Sequence, residues 1–178
     1  MAEKTKHLII FTDIGDTIID EGTEQTDENG VVRQAECIPG ARETYLALHE
    51  AGFTIVMVAD GLVRSFRNTM RQHGLDGIFS AWIISEEVGA DKPSPRMFSS
   101  AMEALDLTPA DRGRVIMVGN NVKRDIRGAR RFGLRTVLLD WSKRRPFEEE
   151  YPEDHATYRI HTPEELLPLA ERLEAELP

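Results

Sequence analysis

Short apolar runs, each closed by a small polar cluster, alternate along this chain with segments of helical period, and few architectures accept that pattern. The first run, Leu8-Ile9-Ile10-Phe11, is β-branched and not clearly alternating, which suits a strand buried on both faces of a parallel sheet. Residues 53–59, 81–84, 115–118 and 136–139 repeat the theme, and 158–160 fit a last edge strand. Between them apolar residues recur at helical spacing: Ala41, Tyr45 and Leu48 before Gly52, and Val63, Phe66 and Met70 before Gly74. Phe98, Ala101 and Leu105 follow a Ser94-Pro95 cap, and Val122, Ile126 and Ala129 precede Gly133. Thr162-Pro163-Glu164-Glu165 opens a final helix with a capping box. These spacings suit right-handed crossovers. The predicted fold class is therefore α/β: a three-layer, Rossmann-like domain with a mostly parallel sheet of five or six strands.

No repeat, low-complexity tract or linker divides residues 1–178, which read as one domain. Residues 20–38 are polar and acidic, with a hairpin turn at Asn29-Gly30, and read as a short flap. With 22 basic and 31 acidic residues the net charge is −9, which argues against broad electrostatic binding to nucleic acid or to an anionic membrane. The single cysteine, Cys37, excludes an internal disulfide and a cysteine metal cluster. The opening residues lead into too short an apolar run for a signal peptide, and no stretch is long enough to span a bilayer. The expected location is the cytoplasm.

In open parallel sheets, ligands bind outside the carboxyl ends of the strands. Four such ends carry polar groups here: Asp13 with Thr17, Asp60-Gly61, Lys92, and Asn120 with Asp125. Two carboxylates, an amide, a lysine and helix N-termini make a site for a phosphate and a hard divalent cation. Each group alone has an ordinary explanation: a turn residue, a loop lysine, or a first-turn helix carboxylate favoured by the dipole. Their conjunction does not.

The segments Asp13-Ile14-Gly15-Asp16-Thr17, Lys92-Pro93-Ser94-Pro95 and Gly119-Asn120-(four residues)-Asp125 resemble the first, third and fourth motifs of the haloacid dehalogenase-like (HAD) hydrolases. They stand in the family's order, and the resemblance covers nearly the whole chain. It implies that Asp13 is the nucleophile, forming an aspartyl-phosphate. Thr17 would hydrogen-bond near the phosphoryl group, and Lys92 would hold Asp13 and the phosphate together. Asp13, Asp125 and the Gly15 carbonyl, joined by Asn120, would bind Mg²⁺.

Three positions depart from the family pattern. The second aspartate of the family's phosphatases, a general acid and base two residues after the nucleophile, is Gly15 here; such a loss typically costs about 10² to 10⁴ in rate. Asp16 could substitute only if the turn is rearranged. The Ser or Thr ending the second motif is Ala59, a lost donor worth on the order of 1–3 kcal/mol, which leaves the N–H groups of Asp60 and Gly61 to bind phosphate. The fourth motif begins with Asn120 in place of Asp, a weaker ligand, although Mg²⁺ commonly needs only one or two carboxylates.

The expected activity is Mg²⁺-dependent hydrolysis of a phosphate monoester, weak or favouring activated phosphates whose leaving group needs no proton. The competing expectation is a HAD-fold phosphate-binding or regulatory protein with little turnover. Retention of Asp13, Thr17, Lys92 and Asp125 together places hydrolysis ahead. Dehalogenation ranks last, because neither 20–38 nor 61–92 can hold the helical cap that encloses such substrates. Without a cap domain the site would stand open unless the flap or a second subunit of a homo-oligomer covers it. The substrate would be a phosphorylated small molecule or an exposed phosphate on a larger partner. The basic run Lys143-Arg144-Arg145, beside Trp141, reads first as a solvated loop and second as a guide for an anionic substrate. The five histidines have no ligand spacing.

Overall fold

The computed structural model describes residues 6–178; the first five, part of the stretch read for a leader, lie outside the described residues. The strands in chain order are β1 (Ile9–Thr12), β2 (Gln25–Thr26), β3 (Val32–Gln34), β4 (Thr54–Ala59), β5 (Phe79–Ile84), β6 (Val115–Gly119), β7 (Arg135–Leu139) and β8 (Tyr158–Ile160). The helices are α1 (Ala41–Glu50), α2 (Val63–Gln72), α3 (Ser85–Val88), α4 (Pro95–Glu103), α5 (Arg127–Phe132) and α6 (Leu166–Ala175). Six strands form one sheet in the order β5-β4-β1-β6-β7-β8, and every pairing in it is parallel. The expected five or six strands are thus six.

Successive strand residues face opposite ways, and each side of the sheet buries its own core. Ile10, Ile55, Met57, Ile116 and Val118 pack with Tyr45 and Leu48 of α1 and Leu173 of α6. Ile9, Phe11, Val56, Val58 and Met117 pack with Met97, Phe98 and Ala101 of α4. This two-sided burial explains why the runs are apolar throughout and do not alternate. Each fully buried Ile, Leu or Phe contributes about 1.5–3 kcal/mol of transfer free energy.

The strand order reverses direction at β1, with β4 and β5 laid down on one side and β6 to β8 on the other. Such a reversal opens a crevice at the carboxyl ends of the two strands that flank it. Asp13 follows β1 directly and Asn120 follows β6 directly. The strand end is anchored from below, where the buried Thr12 hydroxyl lies 2.6 Å from the Tyr45 hydroxyl of α1. Asp13 N–H donates to the Val118 carbonyl at 2.9 Å.

Two elements sharpen the sequence reading. The 20–38 stretch forms an antiparallel hairpin of β2 and β3, which docks on α2 through Val32 N–H to Ser65 Oγ (3.0 Å) and Asn68 Nδ2 to the Val32 carbonyl (2.9 Å). The helix expected from Val122 onward begins instead with a π-helical turn, Val122–Ile126, before α5. Wide turns of this kind recur at functional sites, and this one carries Asp125. Among the described residues no helix is long and apolar enough to cross a membrane.

Candidate active site

Lys92 joins the strand ends. Its ammonium donates to Asp13 Oδ1 (2.8 Å) and to the Val58 carbonyl at the end of β4 (2.8 Å), and forms an ion pair of 2.7 Å with Asp125 Oδ1. The side chain is buried, as is Asp125, while Asp13 keeps partial access to solvent. Burial alone would favour the neutral amine, but the charges of Asp125, Asp13 and Asp60 outweigh it and hold Lys92 protonated. The Thr17 hydroxyl lies 3.5 Å from Asp13 Oδ2 and 3.4 Å from the Gly15 carbonyl. One carboxylate thus faces the crevice with a fixed cation on one oxygen and a hydroxyl near the other.

Asp125 is placed by the π-helical turn. Its Oδ2 accepts from the Asn121 N–H at 3.0 Å, while its own N–H donates to the Asn121 carbonyl at 2.8 Å. This folds the carboxyl back over the end of β6, where a Cβ built on Gly119 would overlap it. Burial, then the Asp13 charge, push the Asp125 carboxyl up, with Lys92 opposing. Gly119→Ala is expected to destabilise the fold by about 1–3 kcal/mol, the usual scale of overpacking, and to slow turnover by displacing Asp125. Thermal melting and a rate assay on one preparation check this; an unchanged melt and rate would mean that Asp125 has room to move.

The oxygens here suit a hard cation. The Lys92 ion pair lies outside hydrogen-bond geometry, so Asp125 Oδ1 is a buried acceptor with no hydrogen bond; the unpartnered atom of the buried Asn120 amide is Nδ2, so its oxygen would ligate with the amide turned over. Among the described residues no three His, Cys, Asp or Glu side chains gather as a metal cage. Two carboxylates and a neutral oxygen are nonetheless enough for Mg²⁺, whose remaining positions are commonly filled by water and substrate phosphate.

Asp16 is corrected by its surroundings. It turns away from Asp13 in the left-handed region (φ 50°) and its carboxylate is fully buried. Arg144 clamps it with two hydrogen bonds, Nε to Oδ2 (2.9 Å) and Nη2 to Oδ1 (3.0 Å), and Oδ1 also accepts the Glu21 N–H at 3.1 Å. A carboxylate closed to solvent, with both oxygens taken up by a fork-like guanidinium and not lining the crevice, cannot reach a leaving group. The 143–145 run stays partly open to solvent, but two of its three residues are engaged in ion pairs. Arg144 also reaches Asp20, and Arg145 donates to Glu21 Oε2 at 2.8 Å.

Asp60 and Gly61 line the crevice but are already engaged. Asp60 Oδ1 accepts the Lys92 N–H at 2.9 Å and Oδ2 accepts from Arg124 at 3.3 Å. The Gly61 N–H, expected to meet phosphate, donates to Ser85 Oγ at 3.0 Å. Asp60 is therefore the anchor of the Lys92 loop, and Gly61 offers no free donor.

The crevice has a volume of about 320 Å³, large enough for a small phosphate ester. Asp13, Lys92, Asn120 and Asp125 form its floor, and Gly30 and Val32 of the hairpin join Phe66 and Thr69 of α2 in its wall. Among the charged residues lining it, sequence reasoning did not place Glu21, Glu24 or Arg124 there, while Arg145 belongs to the run read second as a guide for an anionic substrate. Burial pushes the Glu21 carboxyl up, against the pull of Arg145. The acidic 16–21 stretch and the basic 143–145 run were visible as charge, but nothing local pairs them.

Comparison with known proteins gives a consistent set. A family model described as haloacid dehalogenase-like hydrolase matches residues 5–133. The glyceraldehyde 3-phosphate phosphatase of Methanopyrus kandleri is 32% identical over 135 residues, covering 76% of this chain and 57% of that protein. The phosphoserine phosphatase of Thermus thermophilus is 35% identical over 119 residues, 66% of this chain and 45% of its own. The chain thus spans about half the length of the curated relatives it matches. Among solved structures, a HAD phosphatase from Thermococcus onnurineus superposes with a TM-score of 0.72 at 18% identity, covering 91% of this chain and 97% of that one; this likeness concerns the fold alone.

Proposed function

This chain belongs to the haloacid dehalogenase-like hydrolases, and from that membership we propose that it hydrolyses phosphate monoesters through a phosphoryl-enzyme formed on Asp13. The observation that carries this reading is the Lys92 ammonium fixed between Asp13 and Asp125 at the switch point of the sheet. Asp13 attacks phosphorus with Oδ2, the oxygen not bonded to Lys92, while Lys92 offsets negative charge as the phosphoryl group arrives. Thr17 orients the attacking carboxylate. Asp13 and Asp125, with Asn120 as a neutral oxygen, would hold Mg²⁺. The ion supplies charge neutralisation on the transferring group.

Relatives named as phosphatases of glyceraldehyde 3-phosphate and of phosphoserine support a phosphorylated small molecule as substrate. The crevice volume suits the same class. The test is p-nitrophenyl phosphate hydrolysis by the full chain with Mg²⁺ and after chelation, with acid-quenched trapping of phosphoenzyme. Turnover that falls on the order of 10²-fold on chelation and returns with Mg²⁺, with phosphate bound covalently during turnover, is the expected result. Folded protein that binds phosphate but neither turns over nor traps a phosphoenzyme would turn the reading to a phosphate-binding protein.

A further inference from the structure

A reaction of this kind needs a proton twice. The leaving alkoxide must receive one, and the water that later attacks the phosphoryl-aspartate must give one up. Gly15, beside Asp13, has no side chain to serve either step. The space that a side chain there would fill is not empty: a Cβ built on Gly15 would overlap the Glu21 carboxylate at Oε1. Glu21 stands six residues further along, at the start of a short 3₁₀ turn, and its carboxylate returns over Gly15 to the crevice that Asp13 also lines.

The other carboxylates at the crevice are committed. Asp13 is the nucleophile, Asp125 faces Lys92, and Asp60 holds the Lys92 loop and Arg124. Glu24 also lines the crevice but sits at its exposed edge. Glu21 alone pairs a held oxygen with a directed one. Oε2 accepts from Arg145 at 2.8 Å, and Oε1, over Gly15, accepts no hydrogen bond from the described residues. The neighbouring clamp of Arg144 on Asp16 and Asp20 fixes the loop that carries it.

We propose that Glu21 is the general acid and base of this site, its carboxyl occupying the space left by Gly15. The proposal rests on the phosphatase reading. In the first half-reaction Asp13 Oδ2 forms a bond to phosphorus, the ester P–O bond breaks with its electron pair on the leaving oxygen, and Glu21 gives that oxygen its proton. In the second, water bonds to phosphorus and passes a proton to the Glu21 carboxylate. The P–O bond to Asp13 breaks, its electron pair returns to Asp13, and phosphate leaves. The sum is ester plus water to alcohol plus phosphate, with Glu21 again protonated. Alkyl phosphates then come within reach, and the expected restriction to activated esters falls away.

The test compares glycerol 2-phosphate with p-nitrophenyl phosphate in the wild-type chain and Glu21→Gln, a variant that keeps an oxygen for Arg145. Wild type should turn over both. Glu21→Gln should lose about 10²- to 10⁴-fold on glycerol 2-phosphate. On p-nitrophenyl phosphate it should give a rapid burst of one nitrophenolate per enzyme and then a slow steady state, because the first step needs no acid and the second still needs a base. A second variant, Gly15→Asp with Glu21→Ala, returns a carboxylate to the same space and should recover at least tenfold of the alkyl rate relative to Glu21→Ala. An unchanged alkyl rate in Glu21→Gln, an equal loss on both substrates with no burst, or the same loss in Glu24→Gln alone would overturn the assignment. A wild-type chain inactive on both substrates would overturn the phosphatase reading itself, which is a different outcome.

Discussion

Asp13→Asn is expected to lower turnover on the order of 10⁴-fold or more, the scale on which removal of a nucleophile is felt, and to leave the melting temperature equal or higher. The side chain keeps its shape and can still accept from Lys92 at the Oδ1 position, but a neutral amide oxygen does not attack phosphorus. The fold loses one of the charges that face Lys92 but sheds a tension as well: the Asp13 charge stands close enough to push the buried Asp125 carboxyl up, and Asp125 still faces Lys92. Removing one of two carboxylates from a shared site relieves that repulsion. Sites kept for chemistry often cost stability in this way. Parallel rate and melting measurements on one preparation check the dissociation of the two properties. A lower melting temperature with partial turnover would mean that Asp13 serves the fold and not the reaction.

Lys92→Met should fail on both counts. The ammonium is buried and has three partners, two carboxylates and the Val58 carbonyl, so it ties together the ends of β1 and β4 and the turn after β6. Methionine fills much of the same volume but leaves Asp125 buried without an opposing charge. Breaking a buried pair from one side costs about 3–5 kcal/mol, a large fraction of the stability of a domain of this size. The deficit should depend on pH. Without Lys92, burial and the Asp13 charge push the Asp125 carboxyl up against only the Asn121 N–H, so the folded chain binds protons that the unfolded chain releases. Stability of the variant is therefore regained as pH falls from 7 toward the unfolded carboxylate pKa of about 3.9, and lost as pH rises. Urea unfolding at pH 5 and pH 7.5 measures this. A pH-independent deficit would place the loss in packing. Turnover should be lost at both values, since the Lys92 charge no longer holds Asp13 and Asp125 in place or offsets the arriving phosphoryl group.

How much of this could be read from the chain differs from element to element. The strands could be read because burial on both faces of the sheet demands unbroken apolar runs, and 115–118 shows this in β6. Helix starts and stops were equally legible, since Ser94, Thr162 and Gly133 act through their own neighbours. The π-helical turn at Val122–Ile126 was not, because a wide turn and an α-turn share one apolar spacing. Asp13, Lys92 and Asp125 could be named together from motif order, and the fold brings all three within contact.

The partners of Asp16, Asp60, Gly61 and Glu21 could not be read, and the reason is distance along the chain. Arg144 meets Asp16 across 128 residues, and Arg145 meets Glu21 across 124. Those pairings exist because the loop after β7 folds over the loop after β1, two strands away in the sheet. Local periodicity and turn chemistry act over a few residues and so are written in the sequence alone: they determined the alternation of strands and helices and the polar groups at the strand ends. Which of those groups would be neutralised, which spent on anchoring a loop, and which left facing the crevice was decided only by tertiary structure. A charge takes its role from the partners that chain folding brings to it.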